Sequence, residues 1–266
     1  MSIRFHILCF AFLLLVLHPV AQDTMQYGCW NDGTACINQP KRLELDLFQL
    51  SSYGISDRVT IYVHPLMVWL LPQIKVKVNW GTKGSFIFTT EHELIYPTFF
   101  LSVVSRKGTG GLISPEFHFP QMISLDNVLL VSFSPFRNSL LTARAGIIFA
   151  VRSGYIDPSS TIDLPVIYPM LAPFYNSPEF NPGFDFRGKF FRLLGWQFNA
   201  ECFILTIKEN NFFFQNKGVL VYDSKKQHLK IEAGYKLCYG EYPYGNQWHL
   251  LPVLDLAIGL KVGKKR

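Results

Sequence analysis

The sequence lacks the features of a helical membrane protein and of a metalloenzyme. Beyond residue 21, no segment offers eighteen uncharged apolar residues in succession, so helical membrane spans are not expected. No cysteine or histidine pair has the spacing of a zinc site, and the position four residues after His92 in the His92-Glu93 pair is Tyr96. A Gly-x-Ser-x-Gly nucleophile elbow is also missing. We therefore expect neither a metal nor a cofactor, and no enzyme.

Charge is sparse as well. Charged residues make up 17% of the chain, and the formal net charge is +6. The basic residues are scattered rather than clustered with stacking aromatics, so nucleic acid is not an expected partner.

The N-terminus has the pattern of a secretory signal peptide. A basic start at Arg4 precedes an apolar run from Phe5 to Val16, and cleavage is predicted after Ala21. An uncleaved membrane anchor is the alternative. Residues 22–41 are polar and turn-rich, and they are interpreted as a periplasmic segment that precedes the β-domain at 42–266.

Strict alternation near the C-terminus is the strongest positive signal. Even positions from Leu250 to Val262 are apolar or proline, whereas odd positions from Val253 to Gly263 include Asp255, two glycines and Lys261. The preceding segment, 228–239, alternates in the same way. Side chains alternate between the two faces of a strand, so each segment has one apolar face and one small or charged face.

The whole chain after residue 41 indicates an all-β fold. Strands are predicted at 43–47, 59–63, 75–80, from 86, 99–105, 127–134, 139–152, 184–194, 196–208, 211–222, 227–239 and 249–262, with a turn at 52–57. Aromatic residues reach 15%, as expected for rings that face lipid. We predict a closed antiparallel up-and-down transmembrane β-barrel of about 12 strands (range 10–14).

Residues 155–183 interrupt the pattern. They contain six prolines, which cannot sit in central strands because proline lacks the ladder N–H. The stretch is also apolar and aromatic. It is predicted to be a long loop, either an inward-folded constriction or a surface loop over the barrel mouth.

The mature chain has four cysteines. Cys29 and Cys36 are predicted to form a local disulfide in a Gly/Asn/Asp-rich segment. A Cys202–Cys238 pair is disfavoured, because the strand at 211–222 is expected to lie between their strands.

Charged residues on the polar strand faces are the candidate functional residues. They would line the barrel interior if the apolar faces meet lipid. This set comprises Lys75, Lys77, Arg144, Arg152, Lys230, Glu232, Lys236, Asp255 and Lys261. Basic residues predominate in it, which would favour anions modestly in an open pore. Mutual ion pairing that fills the interior is the alternative.

Two short runs resemble a known family. The run Tyr53-Gly54-Ile55-Ser56-Asp57-Arg58-Val59 is similar to the YGLTDRLxI pattern of uncharacterised bacterial outer-membrane β-barrel proteins, and 242–245 with 251–256 are similar to their closing strands. The resemblance implies a membrane barrel without a defined cargo. Many such proteins end on an aromatic residue recognised during insertion, whereas this chain ends in Lys264-Lys265-Arg266.

The leading hypothesis is an integral barrel of the bacterial outer membrane, a narrow passive channel or a structural barrel without covalent chemistry. Its expected partners are outer-membrane lipid, the barrel-insertion machinery and, for a channel, small solutes or anions. The alternative is a soluble exported β-barrel or sandwich that binds an apolar ligand, with Leu254, Leu256 and Ile258 pointing inward. A membrane-embedded acyl hydrolase would need one of His118, His228 or His249, and no spacing selects any of them.

Overall fold

A computed structural model shows a closed barrel of twelve antiparallel strands, each hydrogen-bonded to its sequence neighbours, with β1 closing against β12. It describes residues 30–108, 113–157, 160–162, 167–175, 177–206, 211–224, 227–242 and 245–262. The strands are β1 (Arg42–Asp46), β2 (Ser51–Gly54), β3 (Val59–Val63), β4 (Gln73–Lys83), β5 (Phe86–Ile95), β6 (Met122–Phe133), β7 (Ser139–Arg152), β8 (Glu179–Lys189), β9 (Leu194–Leu205), β10 (Phe212–Asp223), β11 (Leu229–Tyr242) and β12 (Gly245–Lys261). This architecture confirms the predicted fold class and strand number.

The two ends of the barrel differ. One end, here the terminal end, carries the start of β1, the end of β12 and short connections such as 84–85 and 190–193. The opposite, loop end carries the long connections 64–72, 96–121 and 153–178. Two short helices lie in the last two of these, α1 (Thr98–Val104) and α2 (Tyr168–Tyr175). Neither of these helices is long and apolar enough to cross a membrane.

The alternation places apolar side chains outside and charged ones inside. On β12, Leu254 is 67% exposed and Leu260 is 44% exposed, whereas Asp255 between them is 2% exposed. A soluble apolar-ligand binder required the opposite orientation. That alternative is wrong for this fold, because its apolar residues face out of the barrel.

Apolar loop residues cover much of the loop end. Leu101 of α1 and Leu171 and Phe174 of α2 form one buried cluster with Met122 and Ile156. On α2, Tyr168 packs in addition against inward-facing rings of β10 and β11, at 5.0 Å from Phe213 and 5.3 Å from Tyr242. The loops therefore close this end by hydrophobic burial rather than by strand pairing.

Several predicted boundaries differ from the structure; for example, the break between the predicted strands 184–194 and 196–208 lies at 190–193. The predicted strand 99–105 is α1, because its apolar side chains cap the loop end instead of joining the wall. The predicted turn at 52–57 overlaps β2, a strand of four residues that was not predicted. The proline-rich loop ends before Glu179, and Pro182 lies within β8, where the β8–β9 pairing skips residues 181 and 182. The strand is irregular there, so the missing N–H is tolerated.

Candidate functional site: the barrel interior

Ion pairs connect the strands across the inner face of the barrel. Lys77 and Glu91, both essentially buried, lie 3.0 Å apart between β4 and β5. Further pairs join Lys75 to Glu93 (3.5 Å), Arg144 to Asp126 (3.5 Å) and to Glu201 (3.8 Å), Lys189 to Asp223 (3.5 Å), Lys217 to Glu232 (2.7 Å), and Lys230 to Glu232 (2.9 Å) and Asp46 (3.9 Å). Buried charges need such partners, since an isolated ion in a low-dielectric site is very costly.

The structure separates the nine candidate interior residues into two groups. Seven lie on inner-face positions of their strands: Lys75, Lys77, Arg144, Lys230, Glu232, Lys236 and Asp255. The other two, Arg152 and Lys261, are exposed where β7 and β12 end.

Acidic residues outside the predicted interior set complete these pairs. They are Asp46, Glu91, Glu93, Asp126, Glu201 and Asp223, and Asp185 pairs in addition with Arg187 (2.6 Å). Each shares the inner face with a basic residue of its own or another strand, and strand register, not spacing along the chain, brings the pair together. The excess of positive charge in the interior is therefore smaller than predicted, because these acidic residues neutralise much of it.

The described part of the predicted periplasmic segment lies inside the barrel. We call residues 30–41 the N-terminal segment. Its backbone is bonded to several strands: Lys77 Nζ donates to the carbonyls of Asn31 (2.9 Å) and Thr34 (3.0 Å), and Ser132 Oγ accepts from Ala35 N (2.8 Å). Polar turn residues occupy this position because the wall around them supplies polar partners.

The two ends of this segment are held as firmly as its middle. At its start, Trp30 Nε1 donates to Asp223 (3.1 Å), and its ring lies 5.3 Å from the Arg42 guanidinium and 5.5 Å from the Lys230 ammonium. Arg187 donates to the carbonyls of Trp30 and Asp32 (3.3 and 2.7 Å).

Towards its other end, Asn38 N donates to Thr60 (3.0 Å) and Asn38 Nδ2 to Ser52 (2.6 Å). Thr89 of β5 also donates to the Ala35 carbonyl (2.5 Å). The segment is thus bonded to side chains of β2, β3, β4, β5, β6, β8 and β10, and it crosses the interior.

Gly54, in the run that resembles the outer-membrane family, makes room for this segment. A Cβ at this position would lie 2.2 Å from the carbonyl oxygen of Gln39, and Lys41 N donates to the Gly54 carbonyl at 2.8 Å. Only glycine permits so close a backbone approach. The segment and the strand that it leads into are therefore fitted to each other.

Two titratable side chains of the segment are shifted by this environment. Burial alone would raise the pKa of the Asp32 carboxyl, but Lys75, Lys77 and the nearby Lys230 and Lys217 hold it well below its usual range. The Asp32 side chain is exposed, and it lines a cavity within the barrel. Burial raises the pKa of the Cys36 thiol.

No disulfide joins the three described cysteines, Cys36, Cys202 and Cys238. The predicted partner of Cys36, Cys29, lies outside the described residues, so their disulfide stays a prediction. β10 separates the strands of Cys202 and Cys238 as expected, with Phe214 opposite Cys202 and Gln215 opposite Cys238.

A cavity of about 90 Å³ remains beside the N-terminal segment. Trp30, Leu140 and Val221 give it apolar surface, while Arg187 and Lys217 give it charge. Lys217 forms an ion pair with Glu232 (2.7 Å), and Arg187 forms one with Asp185 (2.6 Å).

Within the described residues, the three candidate histidines do not come together in one site. His118 lies in an exposed connection at the loop end, His228 in a turn at the terminal end, and His249 on β12. No group of three metal-ligating side chains occurs in the part of the chain that the structure describes.

No known protein family matches the sequence, and no curated protein matches it. Solved structures similar to this one include Pseudomonas aeruginosa OccK5 (OpdH), with 13% identity, 79% of this chain and 56% of that chain covered, and a TM-score of 0.39. This chain thus spans little more than half the length of OccK5. A bacterial polysaccharide outer membrane secretin (9% identity, 84% and 70% covered, TM-score 0.42) and the outer membrane channel DcaP of Acinetobacter baumannii (10%, 90% and 67%, 0.34) are also similar.

Proposed function

We propose that the protein is an integral β-barrel of the bacterial outer membrane whose interior is closed at rest by its own N-terminal segment. It acts as a plugged narrow channel, without covalent chemistry. The segment's bonds to side chains of seven strands are the observation that carries this proposal, because a solute has to displace them to pass.

The outer surface supports the membrane location. Outward positions on the long strands are mostly apolar, among them Leu129, Phe149, Phe184, Leu220 and Leu254, all more than 40% exposed. A mostly apolar face around charged interior residues suits lipid outside and polar groups inside. Short connections at the terminal end and long ones at the loop end agree with periplasmic turns and extracellular loops.

Membrane insertion is tested first. The processed protein should fractionate with the outer membrane, resist extraction by alkaline carbonate, and migrate faster in gels before boiling than after. Recovery in the soluble periplasmic fraction would contradict the membrane location.

Conductance in planar bilayers tests the plug. The intact chain should be nearly silent, whereas deletion of residues 30–38 should give steady single-channel currents. Equal conductance of the two proteins would contradict the closed interior. If the deletion variant is folded but silent, the protein is a structural barrel rather than a channel.

A further inference from the structure

The barrel wall is incomplete on one side. β1, β2 and β3 have five, four and five residues, whereas the adjoining β12 has seventeen. β1 pairs with β12 only from Ala257 to Lys261, and the bond from Leu47 N to the Leu256 carbonyl (3.1 Å) is the last described contact of this kind. Above that point, residues 246–255 are paired with β11 alone among the described strands.

Backbone groups are left open along this edge of β12. The Leu256 carbonyl faces β1, and in an antiparallel ladder alternate residues face the same neighbour, so the backbone groups of Leu250, Pro252 and Leu254 face the opening. In hydrocarbon, unsatisfied backbone groups cost several kcal/mol each unless they meet a polar cavity or an occupant.

Pro252 indicates what kind of occupant fits. It lies in the middle of the open edge and has no N–H to donate, so an added strand would lose a ladder bond there. The edge is therefore poorly suited to pairing with a second copy of the chain. Leu250 and Leu254, 70% and 67% exposed, give its outer rim an apolar surface.

The interior behind the opening contains a lysine, Lys236, that forms no direct ion pair with any described residue. Lys217 and Lys236 face each other directly across β10 and β11. Lys217 is paired with Glu232, whereas Lys236 forms no ion pair within the described part of the chain. On β12, His249 lies opposite Cys238, and its Nδ1 is buried without a hydrogen-bond partner among the described residues.

Both ends of the barrel are covered, by the α1 and α2 cluster at the loop end and by the N-terminal segment at the terminal end. The side opening thus lies beside the inner face of β11, where Lys236 is paired with Leu251 of β12.

We propose that this opening binds an anionic lipid of the surrounding bilayer, with its phosphate head group at Lys236 and His249 and its acyl chains against Leu250 and Leu254. The proposal rests on the membrane location given above. A phosphate oxygen accepts from the ammonium group and from an imidazole N–H, which supplies the partners that these two side chains lack.

Lipid retention tests the proposal. The full chain is reconstituted in nanodiscs of mixed phosphatidylglycerol and phosphatidylcholine and transferred to detergent, and the retained lipid is counted by native mass spectrometry. The intact chain should retain phosphatidylglycerol in preference to phosphatidylcholine. Lys236→Gln should weaken this retention about tenfold, as expected when one charge-assisted hydrogen bond is lost. Lys236→Arg should preserve most of it.

Lys83→Gln is the matched control, because it removes the same charge from an exposed position at the β4–β5 hairpin. Equal retention of both lipids, or unchanged retention by Lys236→Gln, would overturn the proposal. Complete displacement by millimolar inorganic phosphate would assign the site to free anions instead. Crosslinked dimers without retained lipid would assign the edge to a second copy. A barrel absent from the membrane would refute the proposed function itself, which the fractionation above detects separately.

Discussion

At the scale of single residues, a glycine can be as important as a charged side chain, because it leaves space for its neighbours. Arg144 on β7 pairs with Glu201 on β9, although β8 lies between them. Gly183 is the residue of β8 that faces both, opposite Arg144 on one side and Glu201 on the other. With no side chain there, the ion pair can pass over β8.

Replacing Gly183 by alanine should therefore destabilise the barrel. The added Cβ would lie 2.7 Å from the Ala200 carbonyl oxygen and 2.8 Å from Glu201 Cγ, so the backbone or the ion pair must shift. Overpacking of this kind costs about 1–3 kcal/mol. Urea unfolding in lipid vesicles measures the change. Gly154→Ala is the control, since its nearest neighbour is a side-chain atom of Pro120 at 3.3 Å, and an equal loss there would contradict the explanation.

At the scale of elements, the N-terminal segment behaves as an additional element of the fold. It has no regular secondary structure, yet strand side chains bond its backbone at Asn31, Thr34, Ala35 and Asn38. Each bond satisfies a polar group that would otherwise be buried in the interior without a partner. Its attachment therefore depends on individual hydrogen bonds.

Ser132→Ala should loosen the segment. The substitution removes the acceptor of the buried Ala35 N–H, at a cost of about 1–3 kcal/mol, or roughly tenfold to hundredfold more local opening. Alkylation of Cys36 reports this opening, in a background in which Cys29, Cys202 and Cys238 are replaced. Ser124→Ala is the control, because Ser124 shares the inner face of β6 and forms no described bond to the segment. Equal rates in the two variants would contradict the assigned contact.

Acid should also release the segment. The pKa of Asp32 is lowered in the fold by the surrounding lysines, so its contribution is present above the ordinary aspartate pKa of about 3.9 and is lost as the pH falls towards the lower, folded value. Channel openings of the intact chain should increase below about pH 4. Asp32→Asn should open more at neutral pH and respond less to acid.

The exposed Asp57 at the terminal end provides the control, and Asp57→Asn should keep the full response. An unchanged acid response in Asp32→Asn would assign the release to other carboxylates.

Most strands of the barrel wall could be predicted from the sequence, whereas the position of the N-terminal segment could not. Alternation predicts long strands well, as at 139–152, because every second side chain must suit a different solvent. It fails where an apolar stretch caps an end, as in α1, and where a strand has only four residues, as in β2. The N-terminal segment has no period at all, and its partners are distant in sequence. The acidic half of the interior was missed for the same reason.

At the scale of the whole molecule, the interior is close to electrically balanced around its circumference. Most acidic and basic residues of the interior form ion pairs, whereas Lys236, Glu179 and Asp255 form none within the described residues. The membrane-facing surface is mostly apolar, and it also carries the hydrogen-bonded pair of His92 and Asn127 on β5 and β6. The barrel therefore has three distinct boundaries. The N-terminal segment is polar, the cluster of α1 and α2 is apolar, and the side opening is lined by both polar and apolar groups.

This balance predicts weak ion selectivity once the plug is removed. The barrel that lacks residues 30–38 should give a reversal potential near zero in a potassium chloride gradient, because fixed charges of both signs face the pore. Glu201→Gln in the same background should shift selectivity towards chloride, since Arg144 then loses one of its two acidic partners. Glu116→Gln, in an exposed loop, should leave it unchanged. A strong preference for either ion in the parent barrel would show that the paired charges do not line the conducting path.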